Sequence, residues 1–315
     1  LMLSRVADSI FWMSRYIERA ENVARFIDVN MHLAMDLGTE GVRVTDQWAP
    51  LVVTTGDNEL FGELYGEPDQ RKAIEFLTFD ERNPTSIRNC LRIARRNARQ
   101  VRTALTAEMW DTINSAWLEL NRLDFDGMDA SAMARFLEWV KEISLRIDGS
   151  GYRTMLRNDV YWFARLGIFL ERADNTARIL DVKYHVLLPE QVEVGGGLDY
   201  SQWAAILRAV SALTAYHHVY HESLKPLRIA DLLLLNPKMP RSVASCYGAI
   251  CANLDNLAEA YGKQGEAQRQ ARAMRNKLEN SRIEQIFQSG LHEFCESVIK
   301  DNSRLGAVIS EQYLV

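Results

Sequence analysis

The sequence is poor in the features that usually announce a chemistry. It has no Cys-x-x-Cys spacing, no Gly-x-Ser-x-Gly, no Walker A loop and no Gly-x-Gly-x-x-Gly, so a nucleophile, phosphate cradle or dinucleotide fold cannot be assigned from motif. No run of about 18 apolar residues exists, which argues against a transmembrane helix. The start lacks a signal peptide's apolar run, because Asp8 and Arg15 interrupt it, so the expected location is the cytoplasm. Only 7 Pro and 17 Gly in 315 residues leave the chain free to form long helices. A net charge of −5 gives no general attraction to nucleic acid or anionic membrane, and neither is expected as a partner. The cysteines, Cys90, Cys246, Cys251 and Cys295, sit among helix formers and read as buried free thiols.

What is present is helical periodicity almost everywhere, with no convincing period-two alternation. The expected fold is therefore all-α, a helical bundle. The first helix is expected over about 3–37, stopped by Gly38, and a poorer one over 48–65, weakened at Thr54-Thr55-Gly56. Asn83-Pro84 reads as an N-cap followed by proline at the first helical position, opening a helix toward Leu123. Asp124–Gly127 breaks it, and a shorter helix spans 130–147. Further helices are expected at about 159–188, 199–221, 226–235, 240–262, 265–288 and 290–312. Gly195–Gly197 reads as a flexible loop and not as a phosphate cradle.

The strongest signal is internal. Glu18-Arg19-Ala20-Glu21-Asn22-Val23-Ala24-Arg25 returns as Glu171-Arg172-Ala173-Asp174-Asn175-Thr176-Ala177-Arg178, and nine of the fifteen positions from 18 and from 171 are identical. Gln47-Trp48-Ala49 recurs as Gln202-Trp203-Ala204, and Pro84-Thr85-Ser86-Ile87 with Cys90 as Pro240-Arg241-Ser242-Val243 with Cys246. Three matches in order, near one domain-sized spacing, point to a tandem duplication and not a short-repeat solenoid. The expected halves are 2–148 and 152–315, packed as one unit with pseudo-two-fold symmetry and meeting at Asp148-Gly149-Ser150-Gly151.

At about 100° per residue, Glu18, Asn22, Arg25, Val29 and His32 share one sector, as do Glu171, Asn175, Arg178, Val182 and His185. Arg19 and Arg172 lie beside that stripe, placed so that the glutamate of one helix can meet the arginine of the other twice. Two readings follow. The motifs form a buried reciprocal network that fixes register, or a symmetric polar cleft whose arginines hold a carboxylate or phosphate. In the second case Glu18 or Glu171 is a candidate general base. Asp28/His32 and Asp181/His185 have the i, i+4 spacing that permits metal ligation, but an Asp–His pair is the plainer reading, and no metal or other cofactor is expected. The run His217-His218-Val219-Tyr220-His221-Glu222 reads as a helix end.

Arg88, Arg92, Arg95, Arg99 and Arg102 step by 4, 3, 4 and 3 along one helix face, with no acidic residue between Glu81 and Glu108. They read either as a solvated face or as a strip that docks an anion or an acidic partner. The second half has no such stripe.

These motifs resemble the bacterial alpha-E family. The similar pieces are Leu3-Ser4-Arg5-Val6-Ala7, Trp12 to Arg25, Asn83-Pro84-Thr85-Ser86-Ile87, Arg95-Arg96-Asn97-Ala98-Arg99 with Arg102, Glu108-Met109-Trp110, and Leu170 to Tyr184. A departure is Ile168 after Leu166-Gly167, where an arginine is common. The family's genes stand beside, or fused to, circularly permuted ATP-grasp ligases and transglutaminase-like peptidases. The resemblance therefore implies an accessory helical subunit of an amide-forming system, which binds the ligase or its peptide or amino-acid substrate. A stand-alone enzyme acting on amide bonds is the alternative, and a homo-oligomer stays open.

Overall fold

The computed structural model describes residues 4–40, 48–186 and 197–314, and among these it contains helices and no strands, as expected. Helix α1 spans Ser4–Glu40, 37 residues or about 55 Å. It runs through Gly38 instead of stopping there, since one interior glycine costs only about 1 kcal/mol. The expected 48–65 helix divides into α2 (Trp48–Thr55) and α3 (Asn58–Tyr65) at Gly56, whose φ of 82° no helix accommodates. Helix α4 (Gln70–Thr78) was not foreseen; Asp69 caps it by accepting from the Lys72 amide at 2.9 Å.

Asn83 does not cap a helix, and Pro84 does not open one. Helix α5 (Ile87–Gln100) begins three residues later, with Ser86 accepting from the Asn89 amide at 3.2 Å. Asn83 instead braces the preceding turn, giving its Nδ2 hydrogen to the Phe76 carbonyl and accepting from the Thr85 amide. The helix also ends early: a short 3₁₀ turn at Arg102–Ala104 separates it from α6 (Ala107–Leu120). Helix α7 (Ala130–Thr154) then passes straight through Asp148–Gly151, so that expected seam is helical, and the link to α8 (Asp159–Val186) is 155–158.

The remaining helices are α9 (Gly197–Ala209), α10 (Leu213–Tyr220), α11 (Pro226–Ala230), α12 (Val243–Tyr261), α13 (Glu266–Asn280), α14 (Ile283–Ser289) and α15 (Leu291–Ile309). Wider π-type turns follow α11 at Asp231–Leu235 and α15 at Ser310–Leu314. The Gly195–Gly197 loop reading lies largely outside the described residues. His217 and His218 lie on α10 and His221 ends it with φ of 51°, so that histidine run is a helix end. All four cysteines are buried and free. No helix among the described residues is long and apolar enough to cross a membrane.

Two long helices organise the rest. α1 packs on α8 and also carries α5, α7 and α9, while α8 carries α12 and α15. The residue numbers in contact rise together, from Phe11 and Ser14 beside Gly167, through Arg19 with Glu171, to Phe26 and Arg178 around one cavity, so α1 and α8 run in the same direction. The crossing is close at Gly167, where an added Cβ would lie 2.4 Å from the Phe11 carbonyl oxygen and 3.1 Å from Ser14 Cβ. Both obstacles are helix backbone or its first carbon, which cannot rotate away. Gly167→Ala should therefore force the helices apart and cost about 1–3 kcal/mol in denaturant-unfolding stability; an unchanged midpoint would refute the close crossing.

Candidate functional site

The duplicated Glu-Arg dipeptides face each other where α1 crosses α8. Arg19 grips Glu171 with two parallel bonds, Nε to Oε1 at 2.6 Å and Nη2 to Oε2 at 3.0 Å. Arg172 grips Glu18 in the same way, at 2.8 and 2.9 Å. Two parallel N–H donors matching two carboxylate oxygens is the strongest arrangement open to this pair of side chains. Glu18 is 2% exposed and Glu171 6%, so water contributes little, and the charges must satisfy each other.

Each glutamate also receives a third bond, from an arginine that the motif does not contain. Arg15 Nε donates to Glu171 at 3.1 Å, one helical turn before Arg19. Arg241, in the turn before α12, donates Nη1 to Glu18 at 3.1 Å and to Asn22 at 3.4 Å, and Nη2 to Glu21. Glu21 further accepts from Arg25 at 2.7 Å and from Ser144 at 2.6 Å. Arg178 reaches Asp174 at 2.6 Å along its own helix. Of the eight cleft residues singled out, five are thus in the network, Asn22 touches it through Arg241, Arg178 forms a separate pair with Asp174, and Asn175 is buried beside it. Arg241 and Arg15 were missed: the first is a lone arginine in a turn far along the chain, and the second is unmatched in the repeat, where Ile168 stands.

The electrostatics suit a structural network better than a proton-transfer cleft. Burial would raise the Glu18 carboxyl, but Arg172 and Arg241 outweigh it and hold it at about 2. Glu171 is likewise lowered, as Arg19 and Arg15 outweigh its burial. A carboxylate so stabilised, with its oxygens engaged, is a weak acceptor of a substrate proton. Cys90 and Cys246 lie near the two clamps, but burial pushes both thiols up to about 12, so they are not ready nucleophiles.

The metal candidates are occupied otherwise. Asp28 pairs with Lys141 at 3.1 Å, and His32 turns Nδ1 to the Asp28 carbonyl at 2.7 Å. Asp181 pairs with His292 at 2.5 Å, which raises the imidazole pKa, and the His185 side chain lies outside the described residues. No group of three His, Cys, Asp or Glu side chains placed to hold a metal occurs among the described residues.

The arginine strip stands apart from the clamps. Arg88 pairs with Glu81 at 2.9 Å, and among the described residues it is the only one of the five in an ion pair. Arg92 and Arg95 donate to the amide oxygens of Asn89 and Asn114 at 3.0 and 2.9 Å, while Arg92, Arg99 and Arg102 are exposed. α6 supplies aromatic surfaces that the linear sequence does not place there: Arg102 lies 5.1 Å from the Trp110 ring and Arg88 6.0 Å from Trp117.

Because Glu18 titrates below its ordinary 4.5 in the folded protein, its stabilising contribution is complete above that value and is withdrawn as the pH falls toward about 2. Glu18→Gln leaves Arg172 and Arg241 without their shared anion and should cost about 3–5 kcal/mol at pH 7. Denaturant unfolding of both proteins should show that gap closing between pH 4.5 and 2; a gap independent of pH would contradict the clamp.

No curated protein and no solved structure matches the chain. A family model described as "a predicted alpha-helical domain with a conserved ER motif" matches residues 2–314. Glu18-Arg19 and Glu171-Arg172 are Glu-Arg dipeptides of this kind, each interlocked with the other, in an all-helical chain. The chain belongs to the Alpha-E family.

Proposed function

We propose that this chain is a non-catalytic or co-catalytic helical subunit of an ATP-grasp-type amide-ligase system. In this reading it docks the ligase, helps to hold its peptide or amino-acid substrate, and acts in the cytoplasm. The observation that carries the reading is the division of labour among the arginines. Those of the Glu-Arg motifs are consumed inside the protein, whereas Arg92, Arg99 and Arg102 lie exposed with no carboxylate partner among the described residues. A row of guanidiniums along α5 and the 3₁₀ turn that follows it, backed by two indoles, suits an acidic surface on a partner protein. The ligase as that partner follows from the family resemblance, with a transglutaminase-like peptidase as a further candidate.

The same proposal includes the architecture: two repeats joined at 155–158, related by a pseudo-two-fold whose axis passes between the Glu-Arg clamps. In support, α1 carries α5 and α7 while α8 carries α12 and α15, and α5 meets α6 as α12 meets α13. Ser86 and Ser242 also cap α5 and α12 in the same manner.

Co-purification with a circularly permuted ATP-grasp ligase encoded beside this gene tests the docking role. The wild-type chain should retain the ligase at low salt, and Arg92→Glu/Arg99→Glu should lower retention at least tenfold without changing the melting temperature by more than a degree or two. Equal retention by both proteins, or by neither, would overturn it.

A further inference from the structure

The turns before α5 and α12 have related sequences but meet the Glu-Arg motifs differently. In Pro240-Arg241-Ser242, the arginine places its guanidinium among Glu18, Glu21 and Asn22 of α1, and its backbone carbonyl is fixed by the Thr176 hydroxyl at 2.7 Å. The matching residue of Pro84-Thr85-Ser86 is Thr85, whose hydroxyl turns away to Asp57 and to Asn83 at 2.9 Å. A side chain that short leaves room. A cavity of about 200 Å³ lies there, lined among others by Thr85, Glu171, Asp174, Asn175, Asn22 and Arg178.

Its lining is short of partners. Asn175 is 7% exposed, yet its side chain hydrogen-bonds to nothing among the described residues. Asn22 is 4% exposed and its Nδ2 group is likewise unpartnered. A buried amide nitrogen such as Asn22 Nδ2 is uncommon and costly unless something meets it, while the Asn175 amide keeps surface open to a partner. Asp174 is hydrogen-bonded by one cation, Arg178, with Arg15 acting on it only through space, whereas Glu21 at the matching position takes Arg25, Arg241 and Ser144. Burial accordingly pushes the Asp174 carboxyl up despite Arg178. Glu171 gains nothing further from a cation here, because Arg15 already supplies its third bond.

We propose that this cavity binds a guanidinium group from outside the chain, received by Asp174 and Asn175 as Glu21 and Asn22 receive Arg241. The planar fork of donors suits a carboxylate and an amide oxygen side by side. The unpaired Asn22 Nδ2 calls for an acceptor on the same ligand, and an arginine's carboxylate or peptide carbonyl supplies one. The inference deepens the accessory-subunit reading by naming the substrate class it holds. It rests on that reading for the ligand's purpose and not for its binding.

Titration calorimetry on the isolated full chain, without any ligase, tests it. L-Arginine and a blocked Gly-Arg-Gly peptide separate the free amino acid from a peptide side chain, and L-citrulline is the neutral control. Arginine or the peptide should bind, and citrulline at least tenfold more weakly. Thr85→Arg should fill the cavity with the chain's own guanidinium and abolish binding. Asp174→Asn should weaken binding at least tenfold while circular dichroism and cooperative melting are kept. No heat from either arginine ligand, equal affinity for citrulline, or unchanged binding by folded Asp174→Asn would overturn the site. Failure here with a ligase that still co-purifies removes this inference alone; arginine binding without ligase retention removes the docking role alone.

Discussion

Two buried carboxylates, each clamped by a guanidinium from the other long helix, are the constraint on which the structure depends. Glu18 and Glu171 would be prohibitively costly to bury uncompensated. Arg172 and Arg19 make burial tolerable only if α1 and α8 stand in one register and at one separation, since bidentate geometry allows neither sliding nor rotation. Gly167 sets that separation by letting the backbones meet without an intervening Cβ. Other helices then pack outward from the pair, and apolar neighbours such as Phe11, Ala20, Leu170 and Ala173 are sealed around it.

The same constraint shapes what the protein can do. Carboxylates held low by their arginines, with their oxygens occupied, serve poorly as bases, and the Glu-Arg dipeptides form a frame that holds α1 against α8. Departures from repetition are then the informative places. Arg241 and Thr85 differ at matched positions, as do Arg15 and Ile168, and the arginine strip of α5 and the turn after it has no counterpart on α12. A clamp of fixed geometry lets such differences accumulate around it without loss of register.

Much of this was legible in the sequence because it is local or periodic. The all-helical class, both long helices, the Glu-Arg repeat and the placing of Arg88, Arg92, Arg95 and Arg99 on one helix follow from the sequence, whereas Arg102, expected on the same helix, falls beyond the end of α5. The reciprocity of the clamps was also within reach, since Glu and Arg are adjacent in both copies. What escaped depends on tertiary placement or on turn chemistry. Arg241 reaches Glu18 across 223 residues; it stands in a recurring turn motif, but its match there is Thr85, so the repeat does not point to an arginine that meets the glutamates. Ser86, not Asn83, caps α5, because the Asn83 side chain is spent bracing the turn. Asp148–Gly151 stays helical because α7 packs along α1 and α6 there, which overrides the weak helix preference of two glycines. The aromatic backing of the strip comes from α6, a separate helix.

The most direct test is a double-mutant cycle on Arg19 and Glu171, with Arg19→Met, Glu171→Gln and the pair, followed by denaturant unfolding at pH 7. A clamp that sets the register of α1 against α8 predicts a coupling free energy of about 1–3 kcal/mol, the pair costing less than its two parts together. Additive costs, agreeing within about 0.5 kcal/mol, would contradict it.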